Sequence, residues 1–433
     1  MKRGLQLAIL FFAVSSMAVT CKKQAVANTS LPEDTMLVNT SHLDYLYTPF
    51  TFSTGANVAG IYIYSEAPDY HLVPDADEGF TCVDDVARAM QVYVRNAKFL
   101  SDTSMQNKAY NLINFLLEMQ SDNGYFFNFV FPDYTINTSG QTSTNNANWW
   151  SWRALYALSE SSQVIRNKNP QLANKMDAAI NAVVAKIKTD FFSLPENTKV
   201  VSGITVPQWL PAGSGTDQAA IMLLGLLPLA KTDAAISSYI KKLADGIAFM
   251  QYGDATHFPY ACILSWENTW HAYAGDQAYA LMKAGEFFND TSYTNKCIAE
   301  VKNFYPWLLQ NGMKSNIEMQ SDGTQLSISS QQSFDQIAYA IRPIVTAAAE
   351  AYHLTGENKY ADIAGHLAAW FLGANDAGAV MYSTSTGICF DGIRSATSVN
   401  KNSGAESTIE ALLTMEIAEA NPAIKTAMYK YKK

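Results

Sequence analysis

The sequence contains few charged residues. Only 16% of its 433 residues are Asp, Glu, Lys or Arg, whereas 48% are hydrophobic. Globular domains usually carry about 25% charged residues, and disordered chains combine high charge with low hydrophobicity. The composition therefore excludes a disordered chain and predicts a large buried core.

Basic residues are fewer than acidic residues. The chain has 30 Lys and Arg residues against 39 Asp and Glu residues, which gives a formal net charge of −9. Nucleic-acid binding relies on a basic surface that neutralises phosphates. We therefore exclude nucleic acid as a partner and expect a neutral or polar substrate. Aromatic residues make up 12% of the chain, and their flat rings suit either sugar stacking or a packed core.

Cysteine is also rare, with five residues in the whole chain. Cys82, Cys262, Cys297 and Cys389 are far apart in sequence, and no two of them have the short spacing of a zinc site or a redox pair. We expect buried free thiols at these positions. The six histidines are scattered without an H-E-x-x-H pattern. The sequence accordingly predicts neither a metal site nor a cofactor.

The N-terminus has the pattern of a targeting segment. Lys2 and Arg3 precede an apolar stretch, residues 5–19, that is too short to span a bilayer comfortably, and Cys21 follows at once. This arrangement resembles a bacterial lipoprotein signal, in which the cysteine becomes the lipid-modified first residue. We predict a signal peptide at residues 1–20, lipidation at Cys21, and a tether at residues 21–40 that anchors the exported protein to a bacterial membrane.

A repeat organises the rest of the chain. Asp217, Asp276 and Asp335 are spaced 59 residues apart, and each precedes a run that is apolar on nearly all sides. Three further runs of this kind begin near residues 85, 149 and 406. Such runs are typical of helices buried on both faces. The sequence therefore predicts six inner helices.

Amphipathic segments with helical spacing separate these runs. They cover roughly residues 105–119, 172–191, 234–250, 293–309 and 358–372, and a short one lies near residues 42–47. Strand-like alternation is rare, and residues 60–64 are its best example. Alternation of buried and half-buried helices, repeated six times, predicts an all-α fold, an (α/α)6 toroid of six helical hairpins at residues 41–433. The competing architecture is an open helical solenoid, whose repeats are usually shorter.

Two short motifs carry a family resemblance. Residues 82–89 (CVDDVARA) and residues 402–408 (NSGAEST) resemble the paired signatures of a bacterial group of six-hairpin, glycosidase-like toroids. The resemblance extends in layout over residues 41–420. It implies chemistry on oligosaccharides or polysaccharides, by a hydrolase, a lyase or an epimerase. A fold by itself does not decide among these reactions.

Acids in the two motifs are the first candidates for catalysis. Asp84 and Asp85 are neighbours on the first inner helix, so at most one faces the cleft squarely while the other caps the helix or binds Arg88. Glu406 begins the sixth inner helix, which closes the ring beside the first. Two carboxylates that face each other across this seam are the minimum for glycoside hydrolysis. Alternatively, Glu406 caps its own helix with help from Ser403.

A fourth candidate acid lies in an aromatic loop. Glu267 stands between Trp266 and Trp270, with His271 next in sequence, just before the fourth inner helix. Indole rings suit the stacking of sugars. The sequence therefore predicts Glu267 as catalytic and the three aromatic residues as substrate-binding. The alternative is that Glu267 only fastens the loop by hydrogen bonds.

Further substrate contacts are expected from tryptophan and arginine. Trp149 and Trp150 could form the wall of a binding groove, although tryptophans at helical spacing also occur in cores. Guanidinium groups bind acidic sugars well, and they equally pair with structural carboxylates. The arginines to which these two interpretations apply are Arg88, Arg153, Arg342 and Arg394.

The recurrence of Asp217, Asp276 and Asp335 favours a structural role. Every helix start needs an acceptor for its free N–H groups, whereas a reaction needs its acid only once. We therefore predict that these three carboxylates cap inner helices.

These patterns together predict a lipid-anchored toroid that binds a carbohydrate in an aromatic-lined cleft and cleaves it with paired carboxylates. One alternative is a polysaccharide lyase or sugar epimerase that uses Tyr and His bases, with Arg neutralising a uronic acid. Another is a glycan-binding lipoprotein without catalytic activity.

Overall fold

Helices of the described chain alternate between an inner and an outer layer. The computed structural model describes residues 36–433, so the predicted signal peptide, Cys21 and the tether up to residue 35 lie outside the described residues. The helices are α1 (Ser41–Leu46), α2 (Val83–Arg95), α3 (Thr103–Glu118), α4 (Trp149–Lys168), α5 (Pro170–Phe191), α6 (Thr216–Leu226), α7 (Ala234–Phe249), α8 (Gln277–Phe288), α9 (Thr291–Asn311), α10 (Ala338–Thr355), α11 (Asn358–Ala368), α12 (Ala405–Ala420) and α13 (Pro422–Tyr431).

The even-numbered helices form a closed inner ring. Each packs against the next, from α2 to α12, and α12 also packs against α2. The odd-numbered helices from α3 to α13 each pack against the inner helix that precedes them in sequence. The predicted (α/α)6 toroid is therefore confirmed. Contact between the first and the last inner helix excludes an open solenoid.

The local sequence explains the difference between the two layers. Ala, Ile, Met and Leu residues cover all sides of α6, so this helix is buried along almost its whole length. Gly225 allows α6 to approach α4 closely, because a Cβ atom there would lie 2.8 Å from Cγ of Leu155. Outer helices begin at side-chain caps instead: Asp102 and Asp233 accept backbone N–H groups from the first turns of α3 and α7.

Short strands lie in the connections that lead into the inner helices. Strands of two to seven residues are too short for a recognisable alternation, which is why the sequence predicted so few of them. The expected strand at residues 60–64 overlaps β2. The strands are β1 (Tyr47–Thr51), β2 (Asn57–Ile61), β3 (Tyr64–Glu66), β4 (His71–Val73), β5 (Thr81–Cys82), β6 (Phe129–Val130), β7 (Thr198–Val201), β8 (Ile204–Pro207), β9 (Gln251–Tyr252), β10 (Cys262–Ile263), β11 (Thr269–His271), β12 (Asn316–Ser321), β13 (Leu326–Gln332), β14 (Gly392–Ser395) and β15 (Ser398–Asn400).

These strands pair antiparallel, mostly as two-stranded hairpins, and β11, β12 and β13 form one three-stranded sheet. All of them lie on connections that precede an inner helix. They therefore gather at the end of the ring where the inner helices begin, which we call the cleft end. Residues 36–433 form one compact unit.

The four cysteines between residues 36 and 433 are in the state that the sequence predicts. Cys82, Cys262, Cys297 and Cys389 are all buried free thiols, as expected. Within residues 36–433, no helix combines the length and the apolar character needed to cross a membrane.

Candidate active site

The seam between α2 and α12 brings three of the predicted catalytic acids together around one arginine. Nη2 of Arg88 lies 2.8 Å from Oδ1 of Asp85 and 3.3 Å from Oδ2 of Asp84. The same nitrogen lies 3.6 Å from Oε2 of Glu406, on the opposite side of the seam. The predicted meeting of the first and sixth inner helices therefore places Asp84 and Glu406 within reach of a single guanidinium group.

Arg88 belongs to a larger set of buried charges in the middle of the ring. Its Nη1 donates to Oε1 of Glu410 at 2.7 Å, and the other oxygen of Glu410 accepts from Nε of Arg342 at 2.7 Å. Arg342 also binds Asp276, and Nε of Arg153 lies 3.2 Å from Oδ1 of Asp84. We call this set the central ion network; its members are Arg88, Arg153, Arg342, Asp84, Asp85, Asp276 and Glu410.

The central ion network limits what Arg88 can do. Arg88 is only 1% exposed, and protein carboxylates surround its guanidinium group. The ring of Tyr339 covers it from one side, with the guanidinium carbon 4.7 Å from the ring centroid. The structure thus places this predicted substrate-binding residue behind the acids, where it orients them.

Glu406 also lines an open recess at the cleft end. The recess has a volume of about 230 Å³. Its charged and phenolic side chains come from four places: the loop before α10, strand β3, the β14–β15 hairpin with the residue just before it, and the start of α12. We call it the Glu406 recess; the side chains that define it are Tyr64, Asp335, Asp391, Arg394 and Glu406.

The recess environment favours the protonated form of Glu406. Burial among protein atoms raises the pKa of Glu406 to about 8; Arg88 opposes this shift, and the negative charges of Asp85 and Glu410 add to it. About 42% of the side-chain surface nevertheless remains exposed to the recess. Burial likewise raises the pKa of Asp85 to about 6, against the opposing effect of Arg88. Glu406 is therefore a carboxyl group that holds a proton at neutral pH where a ligand can reach it.

The alternative role of Glu406 as a helix cap is wrong. Gly404 occupies the N-cap position of α12, and no side chain forms a capping hydrogen bond there. The hydroxyl of Ser403 lies instead near Thr408 and accepts the backbone N–H of Cys389.

The capping prediction for the recurring aspartates is also wrong for two of the three. Asp276 occupies the N-cap position of α8, but its side chain binds Arg342 instead of a backbone N–H. Asp335 precedes the N-cap residue of α10 and is exposed in the Glu406 recess. Asp217 lies inside the first turn of α6, where one oxygen accepts the N–H of Gln218. The same local motif therefore serves three different purposes.

Glu267 lies apart from the seam acids. It occupies a tight turn with a φ of 48°, and its carboxylate pairs with Lys199 on β7. Its backbone N–H donates to Oγ of Ser214 at 3.1 Å. Within residues 36–433, no hydrogen bond or ion pair joins it to the central ion network. The structure thus does not bring this predicted catalytic residue together with Asp84 and Glu406.

The four tryptophans predicted to bind substrate differ in burial: two are buried in the core and two are accessible to solvent. Trp150 is buried and donates its indole N–H to the carbonyl of Phe126 at 2.7 Å. Trp270 is buried against Phe304, with ring centroids 5.1 Å apart. Trp149 is half-buried, and Trp266 is 43% exposed. Of the four tryptophans, Trp266 therefore offers the most open surface for a sugar ring.

His271 forms a buried pair with Asp217. Its Nε2 lies 2.8 Å from Oδ2 of Asp217, and its Nδ1 lies 3.0 Å from the carbonyl oxygen of Tyr273. The ring of Tyr273 stacks on the imidazole with centroids 3.8 Å apart and is 44% exposed. Both ring nitrogens therefore face a hydrogen-bond acceptor. Tyr273 covers this pair toward solvent.

Several residues of the site are not predicted as site residues by the sequence. The regular spacing of Asp335 predicts a capping role, and Tyr64 and Asp391 belong to no motif. Glu410 did carry a signal: it lies one helical turn after Glu406, so α12 presents these two acids on one face. A cluster that could bind a metal lies on α8 and α10, near their C-terminal ends, but Lys283 already contacts its carboxylates. The cluster consists of Glu286, Glu350 and His353.

Comparison with known proteins supports the fold. No protein-family model and no curated protein matches the sequence. Cellobiose 2-epimerase from Bacillus thermoamylovorans B4167 is similar in structure, with a TM-score of 0.59 and 13% identity over 84% of this chain and 92% of that chain. D-mannose isomerase gives a TM-score of 0.56 and 13% identity over 84% and 92% of the two chains. Cellobiose 2-epimerase from Spirochaeta thermophila DSM 6192 has a TM-score of 0.54 and 14% identity over 85% of this chain and 90% of that chain. At these identities the likeness shows the fold alone.

Proposed function

We propose that the protein is a carbohydrate-active enzyme, a glycoside hydrolase in which Glu406 protonates the leaving oxygen. The observation that carries this proposal is the combination of two properties in one side chain. Glu406 lines an open recess, and its pKa of about 8 keeps it protonated at neutral pH. A general acid needs both access to the substrate and a proton to give.

Asp335 supplies the second carboxyl group in this proposal. It is exposed, it lines the same recess, and its side chain forms no hydrogen bond or ion pair with any residue between 36 and 433. It is therefore free to take a proton from an attacking water or to attack the sugar itself. Asp84 is less suited to this role, because Arg88 and Arg153 flank its two oxygens. We assign Asp84 to positioning.

The reaction then follows from the two carboxyl groups. Glu406 gives its proton to the glycosidic oxygen as the bond to the anomeric carbon breaks. The new bond to that carbon comes either from a water that passes its proton to Asp335, or from the carboxylate of Asp335, which water then displaces. The carboxylate left on Glu406 lies 3.6 Å from Nη2 of Arg88, which stabilises the new negative charge. Solvent returns the proton to Glu406 in the open recess.

Glu406→Gln tests this proposal directly. The amide keeps the size of the side chain but has no acidic proton, so turnover of a glycan substrate should fall by roughly 10²- to 10⁴-fold while binding changes only a few-fold. Reducing-end release from a panel of neutral and acidic oligosaccharides measures this loss. Glu357→Gln is the matched control, because Glu357 is exposed and pairs with Lys359. Unchanged turnover in the Glu406 variant would overturn the proposal. Binding without turnover in the wild-type protein would favour the glycan-binding alternative.

A sugar epimerase is the second candidate, and the buried pair of His271 and Asp217 favours it. An imidazole hydrogen-bonded to a carboxylate is suited to moving a proton on and off a sugar carbon. Epimerisation in D₂O would place deuterium on the product without releasing a reducing end. A lyase would instead yield an unsaturated uronic ring with ultraviolet absorbance. Loss of deuterium incorporation in His271→Asn, with Glu406→Gln still active, would select the epimerase.

We also propose that the protein is exported and anchored to a bacterial membrane through a lipid on Cys21. Support comes from the basic start of the chain, the apolar stretch of residues 5–19 and the cysteine that follows. A carbohydrate-active enzyme held in this way meets glycans outside the cytoplasm.

A further inference from the structure

Arg394 differs from the other arginines between residues 36 and 433. Its guanidinium group forms no hydrogen bond or ion pair with any residue in that range, and the residue is exposed in the Glu406 recess. Each of the others has a carboxylate oxygen within 4.0 Å of its guanidinium group. These paired residues are Arg88, Arg95, Arg153, Arg166 and Arg342. No carboxylate between residues 36 and 433 is therefore in direct contact with the guanidinium group of Arg394.

A β-bulge presents Arg394 to the recess. On β14 and β15, Ile393 pairs with Val399 and Ser395 pairs with Ser398, so Arg394 has no residue opposite it. A residue left unpaired in this way leaves the regular alternation of the ladder, and bulges frequently redirect a side chain beside a binding site. The backbone conformation thus accounts for a side chain that points away from the hairpin partners.

The base of this hairpin is held firmly. Ile393 and Gln336 exchange two backbone hydrogen bonds, of 2.8 and 3.0 Å, which fasten β14 to the segment that carries Asp335. Gly392 allows this approach, because a Cβ atom there would lie 2.8 Å from the carbonyl oxygen of Gln336. The backbone at Arg394 is therefore held in place relative to the segment that carries Asp335, which lowers the entropy cost of binding a ligand.

None of the acids in the recess forms a hydrogen bond or ion pair with Arg394. Asp335 is exposed in the recess without a partner between residues 36 and 433, and Asp391 interacts with Arg394 only through its charge, without an ion pair. Oδ1 of Asp391 accepts the N–H of Gly404 at 2.8 Å and the hydroxyl of Ser407 at 2.7 Å. Glu406 keeps its proton at neutral pH, so it does not neutralise the guanidinium group. An exposed guanidinium group in a recess with a proton donor is best matched by an anionic group on the ligand.

We infer that the substrate is an acidic glycan, and that Arg394 binds its carboxylate or sulfate group beside the bond that Glu406 protonates. This inference rests on the proposed function and adds the class of substrate. A planar guanidinium group binds either anion through two parallel N–H···O hydrogen bonds. The positive charge of Arg394 strengthens the binding of an acidic sugar but not, to a comparable degree, that of a neutral sugar. Arg394 therefore determines the specificity for acidic glycans.

Binding of defined glycans to the Glu406→Gln variant tests this inference, because that variant is expected to bind without turnover. The probes are polygalacturonate, alginate, heparin and desulfated heparin, with carboxyl-reduced polygalacturonate and xylan as neutral counterparts. We expect at least one acidic glycan to bind roughly 10- to 100-fold more tightly than its neutral counterpart. Comparison of heparin with its desulfated form distinguishes sulfate from carboxylate.

Substitution of Arg394 in the same background completes the test. Arg394→Gln should abolish the preference for the acidic glycan, and Arg394→Lys should retain part of it, since lysine keeps the charge but not the paired hydrogen bonds. Arg166→Gln is the control for loss of one surface charge and should have no effect. In the active enzyme, Arg394→Gln should raise KM for the acidic glycan more than it lowers kcat.

Two results would overturn the inference. One is that no acidic probe binds more tightly than its neutral counterpart. The other is that Arg394→Gln leaves the preference within two-fold. Either result leaves the proposed function standing, because loss of turnover in Glu406→Gln on a neutral glycan is a separate observation.

Discussion

Arg88 and Glu410 join the two ends of the helical ring. Nη1 of Arg88 lies 2.7 Å from Oε1 of Glu410, although the two residues are 322 positions apart in the sequence. Glu410 is completely buried, and its second oxygen accepts a hydrogen bond from Arg342 at 2.7 Å. One carboxylate therefore compensates two buried guanidinium groups at the place where the last inner helix meets the first.

Replacing Glu410 by Gln should destabilise the protein strongly. The amide leaves Arg88 and Arg342 without the carboxylate that they share, and breaking a buried ion pair in this way costs roughly 3–5 kcal/mol. Urea unfolding followed by circular dichroism measures the change. Glu357→Gln, at an exposed pair with Lys359, is the control and should change the free energy of unfolding by less than about 0.5 kcal/mol. Equal unfolding midpoints for the wild type and the Glu410 variant would show that the network contributes little.

The activity should depend on the protonation of Glu406. Because its pKa is about 8, the acid is protonated at neutral pH, and kcat/KM should fall as the pH rises through about 8. A pH profile measured on the best glycan substrate checks this. Asp85→Asn removes one of the negative charges that raise the pKa of Glu406, so the alkaline limb should move to lower pH. An alkaline limb that stays in place in this variant would mean that another group controls the profile.

Glu300 should make stability depend on pH. It is 3% exposed, and one of its oxygens accepts the backbone N–H of Ile263 at 2.9 Å. Burial raises its pKa to about 8, opposed by that hydrogen bond, whereas the unfolded chain has a value near 4.5. The folded protein therefore holds a proton that the unfolded chain has released. The stability that this proton provides is fully present below about pH 4.5 and is lost as the pH rises toward 8.

Glu300→Gln should remove this dependence, because the amide does not titrate. Between pH 5 and pH 8 the wild type should lose on the order of a few kcal/mol relative to the variant. Chemical unfolding of both proteins across this pH range measures the difference. Parallel stability curves would show that Glu300 titrates normally.

Cys21→Ser should release the protein from the membrane. Without a thiol at this position the lipid cannot be attached, and the apolar stretch of residues 5–19 is too short to span a bilayer comfortably. Fractionation of cells that express the wild type or the variant, with detection by antibody, gives the result. Equal retention of both proteins in the membrane fraction would contradict the predicted anchor.

The pattern of helices was available in the sequence. Runs that are apolar on all sides, repeated at intervals of about sixty residues and separated by amphipathic segments, suffice to predict six buried helices with six outer partners. The motifs at residues 82–89 and 402–408 also pointed to the seam, where the structure gathers Asp84, Asp85 and Glu406 around Arg88. Hydrophobic periodicity is a local property, so it can be recognised without knowledge of the fold.

The partners of the acids depend on the tertiary structure. Asp217, Asp276 and Asp335 begin the same local motif, yet one binds His271, one binds Arg342, and one is exposed in the recess. The raised pKa of Glu406 comes from burial among residues that are far away in sequence. The sequence by itself determined the layers of the ring, because burial patterns repeat along each helix. Only the closed ring decided which carboxyl groups are neutralised and which face a ligand, because hydration and charge pairing act through space between distant parts of the chain.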